Sequence, residues 1–171
     1  MMEFVQKLKP GIRPVPPETS MADWRILLST WFGSGRLRPA PGTLGSLAAI
    51  PFGYCIAMQS GAVGLALAAL SLLCIGTVAA DYYGRKSGVV DDQTIVVDEV
   101  VGMWIAAIPA EAHWELWVVA LVLFRLFDIF KPWPASWFDN RSIGGIDVMM
   151  DDVIAGIYAF FGVGGLALVY L

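Results

Sequence analysis

The sequence predicts an all-α fold: an integral membrane helical bundle of about four to five apolar helices plus an N-terminal amphipathic interfacial helix. Three observations carry this. Of 171 residues, 57% are hydrophobic and 15% charged, where soluble domains carry about a quarter charged residues. Mean hydropathy is +0.67. The apolar residues fall into long runs separated by short polar breaks, as spans in a bilayer require. One domain over residues 20–171 is expected, behind a polar, proline-rich tail over residues 1–19. Cys55 and Cys74 lie in apolar runs, so neither a disulfide nor a thiolate metal site is expected. His113 stands between Glu111 and Glu115 and reads as a cap or interface residue. No basic-then-apolar stretch opens the chain, so no cleaved signal peptide is expected. No nucleic-acid partner is expected, and the sequence leaves the oligomeric state open.

The elements follow in order. Ser20 and Asp23 offer a helix start. Trp24, Leu27, Leu28, Trp31 and Phe32 then share one helical face, suited to the headgroup layer or to packing on the bundle. Residues 33–46 contain four glycines and two prolines and read as a loop whose backbone could approach an anion, or as an ordinary connector. Apolar runs follow at 44–58, interrupted by Pro51, and at 62–80, with a tight break at Gln59-Ser60-Gly61. The first is short for a span and either crosses or re-enters. A polar stretch at 81–92 precedes a third run at 94–110 carrying Asp98 and Glu99. The fourth run, 114–130, carries Arg125 and Asp128 near its end. Lys131 follows, and Pro132 and Pro134 stop the helix. Residues 131–150 read as a loop with Arg141, and 153–171 as a last span opened by Asp151 and Asp152.

Charge placement orients these runs. Whether or not 44–58 re-enters, the N-terminus, the 81–93 stretch and the 131–151 stretch share one side. All eleven lysines and arginines fall on that side or, for Arg125, near it. The positive-inside rule makes that side cytoplasmic. The acidic pairs gather at the same face.

A charge in hydrocarbon costs at least ~2.5 kcal/mol, so adjacent acids inside apolar runs need partners. Arg125 and Asp128 share a helix edge with Lys131 one step on; the bland alternative is a snorkelling pair that only fixes helix depth. Asp98-Glu99 and Asp151-Asp152 each have small residues one turn later (Gly102; Ala155 and Gly156), which would let the helices approach and bring the carboxylates together. Asp152 taken alone could equally be a helix cap. Oxygen-only ligands suit a hard cation, Mg²⁺ before Ca²⁺, and carboxylates beside basic groups suit phosphoryl chemistry.

The motifs Gly33-Ser34-Gly35 through Ala40-Pro-Gly-Thr-Leu-Gly-Ser46, Asp91 with Ile95-Val-Val-Asp-Glu-Val-Val-Gly102, Phe124-Arg-Leu-Phe-Asp-Ile-Phe-Lys-Pro-Trp-Pro134, and Gly144-Gly145 with Val148-Met-Met-Asp-Asp-Val-Ile-Ala-Gly156 closely resemble the phosphatidylglycerophosphatase A family, in the same order and spacing. The resemblance covers roughly residues 31–158. It implies a Mg²⁺-dependent membrane phosphatase of phospholipid biosynthesis that removes the terminal phosphate of phosphatidylglycerophosphate, in the bacterial inner membrane with its site facing the cytoplasm. It implies Asp98, Glu99, Asp128 and Asp152 as catalytic residues and Asp98, Glu99, Asp128, Asp151 and Asp152 as metal ligands. Arg125, Lys131, Gly42 and Thr43 become the phosphate-binding candidates. Arg36 and Arg38 gain no role from it. A CDP-alcohol phosphotransferase would need a long aspartate, glycine and arginine signature that is absent here in order. An ion-coupled transporter would place its acids near the membrane midplane.

Overall fold

The computed structural model describes residues 11–139 and 143–170. Lys7 and Lys9 of the expected tail, and Arg141, lie outside the described residues. The chain is mostly helical. In order it forms β1 (Gly11–Ile12), α1 (Trp24–Ser29), β2 (Leu37–Arg38), α2 (Pro41–Ser87), α3 (Val97–Ala107), α4 (Trp114–Phe130), α5 (Ala135–Asp139) and α6 (Gly145–Tyr170). Short 3₁₀ turns lie at Ser34–Arg36 and Ile108–Ala110.

α2 is two helical arms. A straight helix would place Gly45 and Gly76 about 46 Å apart. Yet a Cβ on Gly45 would lie 2.6 Å from Val96, and one on Gly76 would lie 3.0 Å from Val97. Consecutive residues at the start of α3 thus touch both arms, so the helix doubles back. The reversal sits at Gly61, with φ 63° and ψ −166°, a conformation that side chains disfavour. This is the break expected at Gln59-Ser60-Gly61. Pro51 leaves the ladder of the first arm without one donor. In the turn before it, the indole N–H groups of Trp31 and Trp104 donate to the carbonyls of Ala48 and Ala49, at 3.2 and 2.9 Å. Gly53 has no side chain because the Trp104 indole occupies the space.

α3 is the central strut. Nine of its 11 residues are buried, and it packs against α2, α4 and α6. At about 16 Å it is shorter than a bilayer's apolar core. Thr94 to Val96, expected to belong to the third run, lie instead in a non-helical turn and approach to α3, held by a Val96 N–H to Ser29 carbonyl bond of 2.8 Å. Two helices, Pro41–Ser87 and Gly145–Val169, are long and apolar enough to cross a membrane.

Several local expectations need correction. Gly11 and Ile12 pair antiparallel with Arg38 and Leu37, so the polar tail is structured from residue 11. The glycine-rich loop is shorter than residues 33–46, because Pro41, favourable at a first helical position, starts α2. The same helix runs on through residues 81–87 of the expected 81–93 loop and ends at Gly88, whose left-handed backbone caps it. α1 has only six residues. It buries Ile26 and Ser29 with the following Thr30, while Trp24 and Phe32 of the expected apolar face are exposed. Residues 131–150 contain α5 and the first turns of α6. Asp151 and Asp152 therefore lie inside a helix, not at its start, and Asp152 is no cap. α4 ends as expected: Lys131 closes it in a left-handed conformation ahead of Pro132.

Candidate active site

Each acidic pair reaches the site by a different local route. Asp98 and Glu99 occupy the first turn of α3, where free backbone N–H groups favour negative charge. Asp98 Oδ1 accepts the Glu99 N–H at 2.9 Å. Asp151 and Asp152 lie almost two turns into α6, and Asp151 Oδ1 accepts the Asp152 N–H at 3.0 Å. The two helices meet through glycine. A Cβ on Gly156 would lie 2.5 Å from the Gly102 carbonyl, and one on Gly102 would lie 2.7 Å from the Asp152 carbonyl. Gly102 is one turn after Asp98, and Gly156 one turn after Asp152. Backbone contact at that level brings the acids above it together, as the small-residue spacing predicted.

The result is one cluster. Asp98, Glu99 and Asp152 each offer an oxygen, and these oxygens lie within 4.8 Å of one another. Asp98 and Asp152 are buried. Among the described residues, Glu99 Oε2 is buried without a hydrogen-bond partner. A buried carboxylate oxygen in that state loses its hydration with nothing in return. A cation shared by the three side chains would supply what is missing, so the donor set fits a hard divalent ion.

The other two expected ligands are placed differently. Asp128 pairs with Arg125 Nη1 at 2.6 Å, and Asp151 pairs with Lys131 Nζ at 2.7 Å. Each already has a cation. Arg125 also approaches Glu99 at 4.0 Å, and its Nε is buried with no hydrogen-bond partner among the described residues. The five acids thus divide into a three-carboxylate cluster and two carboxylates that hold the basic side chains in place.

All nine expected site residues line one cleft of about 400 Å³. Gly42 and Thr43 contribute from the first turn of α2. A side chain on Gly42 would collide with Glu99 Oε1 and press on the Arg125 guanidinium, so glycine keeps this wall open. Asp91, Gln93, Ile129 and Pro39 to Pro41 also line the cleft and were not singled out as site residues. The signal for Asp91 and Gln93 was a polar stretch ending just before the acidic start of α3. Ile129 lay within the Phe124–Pro134 motif, but its apolar side chain drew no role there. The acids sit in the opening turns of α3, the closing turns of α4 and the early turns of α6, at one end of the bundle. That is not the midplane placement of a transporter site.

The wider comparisons agree with this chemistry. Residues 27–167 match the family model described as PgpA: Phosphatidylglycerophosphatase A. The chain is 41% identical to phosphatidylglycerophosphatase A of Escherichia coli strain K12 over 77% of this chain and 76% of that protein. It is 43% identical to the Haemophilus influenzae protein of the same name, over 78% and 82%. A Bacteroides thetaiotaomicron protein named putative phosphatidylinositol-3-phosphatase is 38% identical over 79% of this chain and 88% of that one. No solved structure matches. With a buried carboxylate cluster flanked by Arg125 and Lys131, and a family match over most of its length, the chain belongs to the phosphatidylglycerophosphatase A family and is a phosphatase of the phosphoric monoester hydrolase class.

Proposed function

We propose that this protein hydrolyses the terminal phosphate of phosphatidylglycerophosphate to phosphatidylglycerol and phosphate, using Mg²⁺, at the cytoplasmic face of a bacterial inner membrane that it crosses several times. The observation that supports it most is the meeting of Asp98, Glu99 and Asp152 from two helices beside Arg125 and Lys131. Mg²⁺ would be held by those three carboxylates, and when bound it polarises a phosphoryl oxygen. Arg125 and Lys131 bind the phosphate and stabilise the charge that grows on it. Their pairs with Asp128 and Asp151 fix their positions before substrate arrives. Asp128, held in place by Arg125, takes a proton from the attacking water. The bond from phosphorus to the glycerol oxygen breaks, and that oxygen takes a proton from solvent in the cleft.

Two features favour a lipid substrate. Ile129 lines the cleft and is 67% exposed. Phe130 and Trp133, close to it in the chain, are exposed as well, an apolar surface continuing from the Ile129 edge of the cleft and suited to a lipid whose headgroup enters while its chains stay in the bilayer. The orientation rests on the one-sided lysines and arginines. The test is phosphate release by purified protein in mixed micelles. Phosphatidylglycerophosphate with Mg²⁺ should give turnover that EDTA abolishes and Mg²⁺ restores. Preference for phosphatidylinositol 3-phosphate, or for a CDP-linked lipid, would overturn the substrate assignment. Turnover unchanged in EDTA would overturn the metal.

A further inference from the structure

Two walls of the cleft are short connecting segments that run into helix starts. One is Pro39 to Thr43, leading from β2 into the first turn of α2. The other is Asp91 to Ile95, leading into α3. Neither wall has a helix ladder through most of its length, yet each delivers residues to a cleft where ångström placement matters. A third segment ties them together. β1 pairs with β2, Gly11 opposite Arg38 and Ile12 opposite Leu37. Arg13 continues this pairing: its N–H donates to the Arg36 carbonyl at 2.8 Å, and its own carbonyl accepts from Arg36 Nε at 2.7 Å. The Arg13 side chain then crosses to the other wall. Its Nη2 donates to Gln93 Oε1 at 2.6 Å, its Nη1 lies 3.5 Å from Thr94 Oγ1, and the same Nη1 is 3.9 Å from Asp92 Oδ1. Asp92 in turn holds the 92–95 turn, accepting the Thr94 N–H on its side chain and the Ile95 N–H on its carbonyl. One residue thus grips the chain leading into the first wall with its backbone and the second wall with its side chain.

We infer that Arg13 is a positioning residue for the phosphatase reaction, holding the 36–43 and 91–95 walls at the separation the carboxylate cleft needs. It lies upstream of the family-matched residues 27–167. Arg13 does not line the cleft; it acts through Gln93 and through the turn that precedes α3. The inference rests on the proposed phosphatase reading for its kinetic arm only.

The experiment compares full-length wild type with Arg13→Ala and Arg13→Lys in detergent. Two measurements are made: peptide-resolved amide hydrogen exchange, and turnover of phosphatidylglycerophosphate. Arg13→Ala should raise exchange at residues 92–96 and leave α4 and α6 at wild-type rates. kcat should fall on the order of tenfold, short of the ~10²-fold that a misplacement of a full ångström can cost, with KM within about twofold. Arg13→Lys, which keeps the charge but not the forked reach, should recover part of both effects. Unchanged exchange at 92–96 in Arg13→Ala would overturn the inference. So would faster exchange throughout the bundle, or wild-type kcat despite a loosened 92–96 turn. If the wild type itself releases no phosphate from the lipid, the proposed substrate fails, and the exchange arm still decides whether Arg13 couples the two walls.

Discussion

The two ends of the bundle hold the two largest contrasts in this molecule. At one end α3, α4 and α6 bring Asp98, Glu99, Asp128, Asp151 and Asp152 to a cleft of about 400 Å³. At the other, Pro109 beyond the end of α3, with Phe160, Phe161, Gly164, Gly165, Ala167 and Leu168 of α6, lines a larger hollow of about 690 Å³ with no charged side chain. The same helix, α6, serves both. The larger space offers no group that could bind or activate a phosphate, while the smaller gathers both signs of charge in a poorly hydrated setting. Chemistry and burial mark the functional end here; size does not.

Substitutions at the two ends should separate sharply. The largest effect is expected for Asp152→Asn or Asp98→Asn, which removes a charge from the three-carboxylate cluster. Phosphate release should fall by at least ~10²-fold, at least about 3 kcal/mol of barrier, with membrane insertion intact. Normal turnover in either variant would remove that residue from the ligand set. Arg125→Ala comes next. It deletes a charged partner of Asp128 and of the phosphate, and a charge-assisted hydrogen bond is worth about 1.5–3 kcal/mol, so kcat/KM should fall roughly 10- to 100-fold. A silent change would return Arg125 to the role of a snorkelling anchor.

Gly156→Ala tests the contact that joins the ends. Its methyl would meet the Gly102 backbone at 2.5 Å, forcing α3 and α6 apart. Overpacking of this kind costs about 1–3 kcal/mol, read as a lower thermal midpoint in detergent together with lost activity. Retained stability and activity would show that the helices can part without disturbing the acids. Smallest of all should be Phe161→Leu in the apolar hollow. Phosphate release within about twofold of wild type is expected, because no group there touches the reaction. A kcat/KM loss as large as that of Arg125→Ala would erase the contrast between the ends.

Particular residues show how far the sequence reaches. Asp98-Glu99, Arg125, Asp128 and Asp151-Asp152 stood out because ionised groups inside apolar runs are costly without partners. All of them line the cleft. Gly102 and Gly156 were legible for the same kind of reason: small residues at helical spacing imply close backbones. The division of labour was not legible. Nothing in the order of residues says that Asp128 answers to Arg125 and Asp151 to Lys131 while Glu99 Oε2 is left unpaired. The irregular segments were read least well. Residues 11–13 gave no periodic signal, and their pairing with residues 36–38 and 92–94 spans distances along the chain that local propensity cannot sense. Helix ends were misplaced at Pro41, Ser87 and Gly145 because polar composition suggested loops where the backbone continues its ladder.

Solvent preference is local, so the sequence alone determined the apolar runs and which ionisable groups needed explanation. Which carboxylates share an ion-sized space, and which are neutralised by a neighbouring cation, depends on ångström distances between helices. Those distances come from the fold-back at Gly61 and the Gly102–Gly156 contact, and only the packed structure decides them.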